Sequence, residues 1–291
     1  MSSTMVSRIL YTLALSVGSA TAADTFTSFD YPSATSTQPF GVNADGAVVG
    51  VYVDSAGTHG FLLREGRFTS IEYPGAVYTS ALGINSQGDI VGCHIEDPTR
   101  IPGTIGCHGY VLRQGVFTSI DVPGKYGAIA AHINDAGQIV GWYADPGGAY
   151  HGFLRDVDGS YTMLDGPVAI QSFAEGINDT GQVVGTYTDD RGQHGFLRDV
   201  DGSYTTLDVP DWLVTGASGI NAAGQIVGLY GDDPVGTLHG FLRDVDGSYT
   251  TFDPPGSIST YPFKINDLGQ IVGYYGDARF FYHGFVATPG G

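Results

Sequence analysis

A sixfold internal repeat limits what this chain can fold into more than any other feature. An Ile-Asn or Val-Asn pair followed by Gly recurs every 42 to 49 residues, and a His-Gly pair recurs with it. The repeated residues are Asn43, Asn85, Asn134, Asn178, Asn221 and Asn266, and His59, His108, His151, His194, His239 and His283. Similarity at this period is typical of propellers, solenoids and repeat arrays.

Each repeat contains four short β segments separated by turn residues. In the copy that starts near Glu175 these segments are GIN, QVVGTYT, HGFLR and YTTLD, with Gly181 and the Asp-Gly pair of DVDGS in turns. No stretch of residues 24–291 has apolar residues at helical spacing, so we expect an all-β protein. Four strands in about 44 residues correspond to one blade of a propeller.

The two ends of the chain predict how the repeats are arranged. The first copy begins with a fourth strand, FTSFDYP at 26–32, whereas the last copy stops after its third strand, HGFVAT at 283–288. A linear solenoid would instead need capping units at both ends. We therefore predict a six-bladed β-propeller with four antiparallel strands per blade, closed by the N-terminal strand completing the last blade.

The first residues have the features of a signal peptide. Arg8 precedes an apolar stretch from Ile9 to Val17, and small residues follow at Ala20-Thr21-Ala22. The apolar stretch is too short to cross a bilayer core of about 30 Å. We predict a leader over 1–23 and one domain over 24–291, in a secreted or periplasmic protein.

The charge of the chain excludes several partners. There are 30 acidic and 12 basic side chains, which gives a formal net charge of −18 at pH 7. Nucleic-acid binding and attraction to anionic membranes both need a basic surface. We expect no nucleic-acid partner, no membrane insertion and a monomer.

The recurring sequences INDxGQIVG, HGFLRD and DGSYTTLDxPG resemble the HAF-repeat family of extracellular bacterial proteins. The resemblance covers nearly all of residues 24–291 in six copies, and it implies export and a repeated structure. The family has no agreed catalytic motif, so the resemblance implies no activity.

The two cysteines flank the longest connection between a second and a third strand. Cys93 and Cys107 lie where the paired strands of the second repeat separate, and an exported chain meets oxidising conditions. We predict one disulfide between them.

The repeated residues are best explained by structure. We expect the six repeated His to bridge strand-end acids such as Asp165 and Asp208, and the repeated Asn to cap turns. Functional candidates are therefore residues that depart from the repeat.

The sharpest departures lie on the strands predicted to be innermost. Two residues before the repeated Asn, four copies have Gly, but the third has His132 and the sixth has Lys264. Glu175 lies one position out of phase in the fourth copy, and His94 replaces a Tyr in the second. We expect His132, Lys264 and Glu175 to reach a central channel, with His94 in the blade next to His132.

Loops that vary between copies supply the ligand-binding candidates. Connections between second and third strands, and between successive blades, lie on one face of a propeller. Their aromatic and charged residues suit a sugar or a planar organic molecule. The candidates are Lys125, Tyr126, Asp211, Trp212, Tyr261, Arg191 and Arg279, together with Glu175.

The main functional prediction is a secreted propeller that binds a small-molecule or glycan ligand at this variable mouth. One alternative is a lyase-type or isomerase-type enzyme with His132 and His94 as proton-transfer groups and Lys264 as electrostatic stabiliser. No cofactor is expected, although His94, His132 and Glu175 are candidate ligands for a divalent metal. Two further alternatives are a structural or adhesive module and channel side chains that only fill space.

Overall fold

The structure is a computed structural model that describes residues 23–97, 99, 106–166, 169–233 and 236–289. These residues form 24 β-strands joined by turns and loops, and no helix occurs among them. The predicted all-β class is therefore confirmed. Within the described ranges no helix is long and apolar enough to span a membrane. The predicted leader, 1–23, lies outside the described residues apart from Ala23.

The strands follow one another at regular intervals along the chain. The first twelve are β1 (Ala23–Phe29), β2 (Ser36–Val42), β3 (Val48–Val53), β4 (Thr58–Arg64), β5 (Arg67–Ile71), β6 (Tyr78–Ile84), β7 (Ile90–Ile95), β8 (His108–Arg113), β9 (Val116–Ile120), β10 (Tyr126–Ile133), β11 (Ile139–Ala144) and β12 (Tyr150–Arg155). The other twelve are β13 (Tyr161–Leu164), β14 (Gln171–Ile177), β15 (Val183–Thr188), β16 (Gln193–Arg198), β17 (Tyr204–Leu207), β18 (Val214–Ile220), β19 (Ile226–Gly231), β20 (His239–Arg243), β21 (Tyr249–Phe252), β22 (Ser259–Ile265), β23 (Ile271–Gly276) and β24 (Tyr282–Pro289).

Consecutive strands pair antiparallel in groups of four, which we call units 1 to 5, starting at β2, β6, β10, β14 and β18. Unit 6 contains β22, β23 and β24, and its fourth strand is β1 from the other end of the chain. Single parallel bridges, Thr58 to Tyr78 and Gln193 to Val214, join units 1 and 2 and units 4 and 5 into eight-stranded sheets. No sheet formed by the described residues closes on itself.

The repeated Asn residues link neighbouring units. Asn43 Oδ1 accepts the backbone N–H of Ala47 at 2.9 Å, which caps its own turn as predicted. Its Nδ2 donates to the backbone carbonyl of Asn85 in the next unit at 3.1 Å. The same donation is made at 3.3, 3.1, 3.1 and 3.4 Å by Asn85, Asn134, Asn178 and Asn221. Asn266 of unit 6 makes the same donation to Asn43 of unit 1, at 3.0 Å.

The apolar core lies between adjacent units. Apolar side chains of units 1 and 2, for example, form one cluster that includes Val49, Ile71 and Ala81, and units 6 and 1 form another. The third strand of each unit contributes one large ring with almost no exposed surface: Phe61, Tyr110, Phe153, Phe196, Phe241 and Phe285. Burial of one such side chain contributes about 1.5 to 3 kcal/mol, so stability is spread over the interfaces between units.

The predicted disulfide is present. Cys93 near the end of β7 and Cys107 just before β8 are bonded, with 5.8 Å between their Cα atoms. Both residues are buried, at 3% and 2% exposure. The bond joins the two ends of the long connection in unit 2.

Candidate functional site

The first strand of every unit carries a β-bulge at the same place. In unit 3, Ala130 pairs with Gly141 and His132 pairs with Val140, so Ala131 is left without a partner. A bulge adds one residue to one strand and redirects the side chains around it. The bulged residues lie three positions before the repeated Asn and are Phe40, Leu82, Ala131, Glu175, Ser218 and Phe263.

Glycine follows the bulge in four units because the first strands approach one another closely there. A Cβ on Gly83 would lie 2.9 Å from the Cα of His132, and one on Gly219 would lie 2.9 Å from the Cα of Lys264. Gly41 and Gly176 are crowded by the neighbouring backbone in the same way. Side chains at this position occur only in units 3 and 6, as His132 and Lys264.

The six bulged residues enclose a cavity of about 90 Å³, which we call the mouth cavity. Phe40 and Phe263 meet edge to face inside it, with 4.7 Å between their ring centroids. Its lining consists of the six bulged residues together with His132 and Trp142. The cavity thus has aromatic walls and three polar side chains: a carboxyl, an imidazole and the Ser218 hydroxyl.

Glu175 is the acidic group of the mouth cavity. Protein atoms surround the side chain, and this burial raises the pKa of Glu175 to about 7, while the hydroxyls of Thr186 and Ser218 act in the opposite sense. Part of its surface remains open to the cavity. Near pH 7 the carboxyl therefore exchanges readily between its protonated and ionised forms.

His132 forms the floor of the mouth cavity and is 4% exposed. Its Nδ1 accepts the backbone N–H of Ile177 at 3.3 Å. Burial, with a smaller contribution from the positive charge of Lys264, holds the pKa of His132 well below its usual value, so the ring is neutral. The proton of the neutral ring is then on Nε2, which is buried and has no hydrogen-bond partner among the described residues.

Lys264 shares a second cavity with His132, of about 60 Å³, next to the ring of repeated Asn residues. Its Nζ donates to the backbone carbonyl of Ile220 at 3.3 Å, and the side chain is buried. Burial lowers the pKa of Lys264 to about 8, against the opposing effect of three nearby carboxylates, those of Asp179, Asp267 and Asp135. His132 and Lys264 thus reach the same channel, which residues of all six first strands line.

The prediction that His94 joins them is wrong. His94 lies on β7, the second strand of unit 2, where its ring stacks on Tyr73 with 3.4 Å between centroids. Its nearest acidic group is Glu96, at 3.6 Å from Nε2, and His108 lies beside it. Trp142, on the second strand of unit 3, does line the mouth cavity, but His94 corresponds to the next residue, Tyr143. Successive side chains of a strand point to opposite faces, so His94 points away from the cavity although its unit is next to that of His132.

The candidate metal set also fails to assemble. His132 and Glu175 share the mouth cavity, but His94 is elsewhere. Across the part of the chain that the structure describes, no three His, Cys, Asp or Glu side chains are placed to hold a metal ion.

Most predicted loop residues make contacts within their own part of the molecule. Lys125 Nζ lies 5.1 Å from the centroid of the Tyr143 ring, a cation–π contact. Trp212 packs edge to face on Tyr230 at 4.9 Å and keeps 36% of its surface exposed. Asp211 beside it has a positive φ of 68°. Tyr126 lies at the start of β10, and its side chain lies outside the parts of the chain that the structure describes.

The remaining loop candidates lie apart from one another. Tyr261 on β22 stacks on Tyr274 at 4.7 Å. Arg191 is 78% exposed and lies 3.7 Å from the carboxylate of Asp189, and Arg279 is exposed in the turn between β23 and β24. Of the seven ligand-binding candidates whose side chains the structure describes, only Glu175 lines the mouth cavity.

Sequence analysis predicted only Glu175 among the bulged residues, although the variation between copies at this position indicates all six. Three positions before the repeated Asn, the six copies have Phe, Leu, Ala, Glu, Ser and Phe, which is more variation than at adjacent positions. Where the six copies share no residue type at one position, packing between units does not determine which residue occurs there. Such a position indicates side chains that face open space.

No protein-family model matches the chain. No curated protein is significantly similar to it in sequence.

Solved structures of similar fold are β-propeller proteins. A protein assigned as TolB from Agrobacterium tumefaciens is 12% identical, with a TM-score of 0.59 over 86% of this chain and 88% of that one. A gluconolactonase from Xanthomonas campestris is 15% identical, with a TM-score of 0.51 over 87% of each chain. A variant of AofleA from Arthrobotrys oligospora is 10% identical, with a TM-score of 0.54 over 90% of this chain and 86% of that one. At these identities the likeness is one of fold, and the scaffold is a β-propeller.

Proposed function

We propose that this chain is an exported six-bladed β-propeller that binds a small molecule in its mouth cavity. Pairing of β1 with β24 and the hydrogen bond from Asn266 to Asn43 support closure of the ring by the N-terminal strand. The disulfide supports a secreted or periplasmic location, where such bonds persist. The resemblance to HAF-repeat proteins and a monomeric state remain part of this proposal.

The lining of the mouth cavity, in which aromatic side chains stand beside Glu175 and Ser218, carries the binding proposal. The carboxyl and the hydroxyl can form hydrogen bonds with polar atoms of a ligand. The walls formed by Phe40, Phe263 and Trp142 suit an apolar ring. At about 90 Å³ the cavity is smaller than typical pockets of about 300 Å³ or more, so it receives one end of a ligand. Of the two predicted ligand classes, this favours a planar organic molecule over a glycan chain.

The test is binding of small aromatic probes to the folded protein. Phenol and indole titrated into the wild type are expected to shift NMR signals of His132 and Trp142. The substitution Ala131→Leu fills the cavity and is expected to abolish these shifts. Ala222→Leu, the same change at the other end of the channel, is the matched control and is expected to leave them intact. Shifts that persist in Ala131→Leu would overturn the proposal.

Acid–base catalysis is a second candidate, favoured by the presence of Glu175 and His132 in one cavity. A carboxyl with a pKa of about 7 beside an imidazole can take a proton from a substrate and return it. This candidate keeps the predicted lyase or isomerase chemistry, but Glu175 replaces His94 as one of the two proton-transfer groups. Lys264 lies behind His132 and contributes positive charge to the channel.

Isotope exchange separates binding from catalysis. A carbonyl compound that binds in the mouth cavity is incubated with the protein in D₂O, and loss of its C–H signals is followed by proton NMR. A catalytic site gives exchange that disappears in Glu175→Gln and His132→Gln while the probe still binds. Binding without exchange identifies a binding protein instead.

A further inference from the structure

The repeated His residues are held between two acidic groups in most units. In all six, Nδ1 lies within 3.2 Å of the acid at the end of the fourth strand, as in His194 with Asp208 at 2.9 Å. In units 1, 3, 4 and 6, Nε2 also faces an Asp that directly follows the second strand, at 3.3, 3.5, 3.3 and 3.7 Å. A carboxylate therefore lies near each nitrogen of these four rings.

His239 of unit 5 departs from this arrangement. Its Nδ1 is 2.7 Å from Asp253 Oδ2, but among the described residues no second carboxylate lies within 4 Å of the ring. Asp232 follows β19 at the equivalent position, yet it is exposed and forms no ion pair with His239. The connection that contains it, 232–238, has seven residues, whereas those of units 1, 3, 4 and 6 have four or five.

A cleft of about 290 Å³ lies next to His239, between units 5 and 6. It is lined by His239, Asp253, Thr237, Ser257, Ile258 and Ser259. Its volume is close to that of small-ligand pockets, which start at about 300 Å³. The mouth cavity shares none of these residues, so the two sites are separate.

The polar groups of the cleft are fixed in direction. Asp253 Oδ1 accepts the backbone N–H of Gly240 at 3.2 Å, which holds the carboxylate against Nδ1 of His239. A neutral His239 ring then has its proton on Nδ1 and a lone pair on Nε2. Ser259 Oγ accepts from Leu238 N–H at 3.3 Å, and this leaves its own O–H to donate. The cleft thus offers one strong acceptor and several hydroxyls as donors.

An aromatic ring stands beside these groups. Trp212, from the loop before unit 5, packs edge to face against His239 with 5.9 Å between centroids, and it is partly exposed but is not among the residues that line the cleft. Ile258 adds an apolar wall. Hydroxyl groups around an apolar ring face are the chemistry of a sugar, which stacks on aromatic and aliphatic side chains while its hydroxyls are hydrogen-bonded.

We propose that the cleft between units 5 and 6 is a second binding site, for a single sugar residue whose hydroxyl donates to His239 Nε2. The site differs from units 1, 3, 4 and 6, in which a second Asp lies near Nε2. It takes a neutral polyol, because the carboxylate of Asp253 is already hydrogen-bonded and none of the described residues that line the cleft is Lys or Arg.

The test uses methyl glycosides of glucose, galactose and mannose as probes. Saturation-transfer NMR and calorimetry with the full chain are expected to detect at least one of them, with a dissociation constant in the millimolar range. His239→Asn keeps a donor to Asp253 but removes Nε2, and we expect it to weaken binding about tenfold. His194→Asn is the matched control, because both nitrogens of His194 already face Asp189 and Asp208. It is expected to bind as the wild type does.

Two further measurements keep the result decisive. Ser257→Ala removes a cleft hydroxyl without touching the His-Asp pair and is expected to weaken binding severalfold. Ala131→Leu, which fills the mouth cavity, is expected to leave glycoside binding unchanged, so failure at one site is distinguishable from failure at the other. Absence of binding by all three glycosides, or equal affinity in wild type and His239→Asn, would overturn the proposal.

Discussion

Asn266 donates a hydrogen bond from its side-chain amide to the backbone carbonyl of Asn43, 223 residues earlier in the chain, at 3.0 Å. Its Nδ2 also lies 2.9 Å from Gln270 Oε1. Asn178 makes the same two contacts, to Asn221 O at 3.1 Å and Gln182 Oε1 at 2.9 Å. The contact between the last and first units is therefore equivalent to a contact between two consecutive units.

This equivalence gives a test of ring closure. Asn266→Asp and Asn178→Asp each remove the Nδ2 donor and keep the oxygen that caps the turn. We expect both to lower the free energy of unfolding by about 1 to 3 kcal/mol, because a buried carbonyl loses its partner. Urea unfolding measures the two losses. A loss at Asn178 without one at Asn266 would show that units 6 and 1 are not joined in solution.

The sequence predicted the repeated parts of the molecule better than its singular parts. The His contacts to Asp165 and Asp208, at 3.0 and 2.9 Å, were expected because six copies of one pattern report one geometry six times. The sequence analysis did not predict most of the mouth cavity, because a β-bulge does not require any particular residue type and so cannot be recognised from one. His94 was misplaced because adjacency of units says nothing about which strand faces the channel.

The disulfide gives a prediction about stability. Cys93 and Cys107 are 14 residues apart, and a bond that closes a loop of about 15 residues stabilises a folded chain by about 3 kcal/mol. Cys93→Ala with Cys107→Ala is expected to lose about this amount in urea unfolding. Dithiothreitol should lower the wild type to the same level and leave the double variant unchanged. A wild type whose fully reduced form unfolds at the same urea concentration would contradict the prediction.

Glu175 makes stability fall as the pH rises. Its folded-state pKa of about 7 lies above the unfolded value of 4.5, so the folded protein holds the proton more tightly. The stabilisation that comes from this tighter proton binding is fully present below pH 4.5, and it is lost as the pH rises through 7. Glu175→Gln is therefore expected to be more stable than the wild type by about 1 to 3 kcal/mol at pH 8 and equally stable at pH 4.5. Unfolding by urea at both pH values measures this difference, and an equal gain at both would refute the link to ionisation.

Lys264 has the opposite dependence, because burial lowers its pKa to about 8 from 10.5. The unfolded chain binds the proton of Lys264 more tightly than the folded chain does. The buried charge therefore lowers the free energy of unfolding below pH 8, and this loss disappears as the pH rises to 10.5. Lys264→Met keeps the length of the side chain and removes the charge, and it is expected to stabilise the protein by about 1 to 3 kcal/mol at pH 7. Urea unfolding at pH 7 and pH 10 should show the gain shrinking. The same substitution removes a positive charge that lowers the pKa of His132, so an NMR titration of that ring should move upward. A variant that is less stable at pH 7 would mean that groups in the channel compensate the charge of Lys264 more than its burial costs.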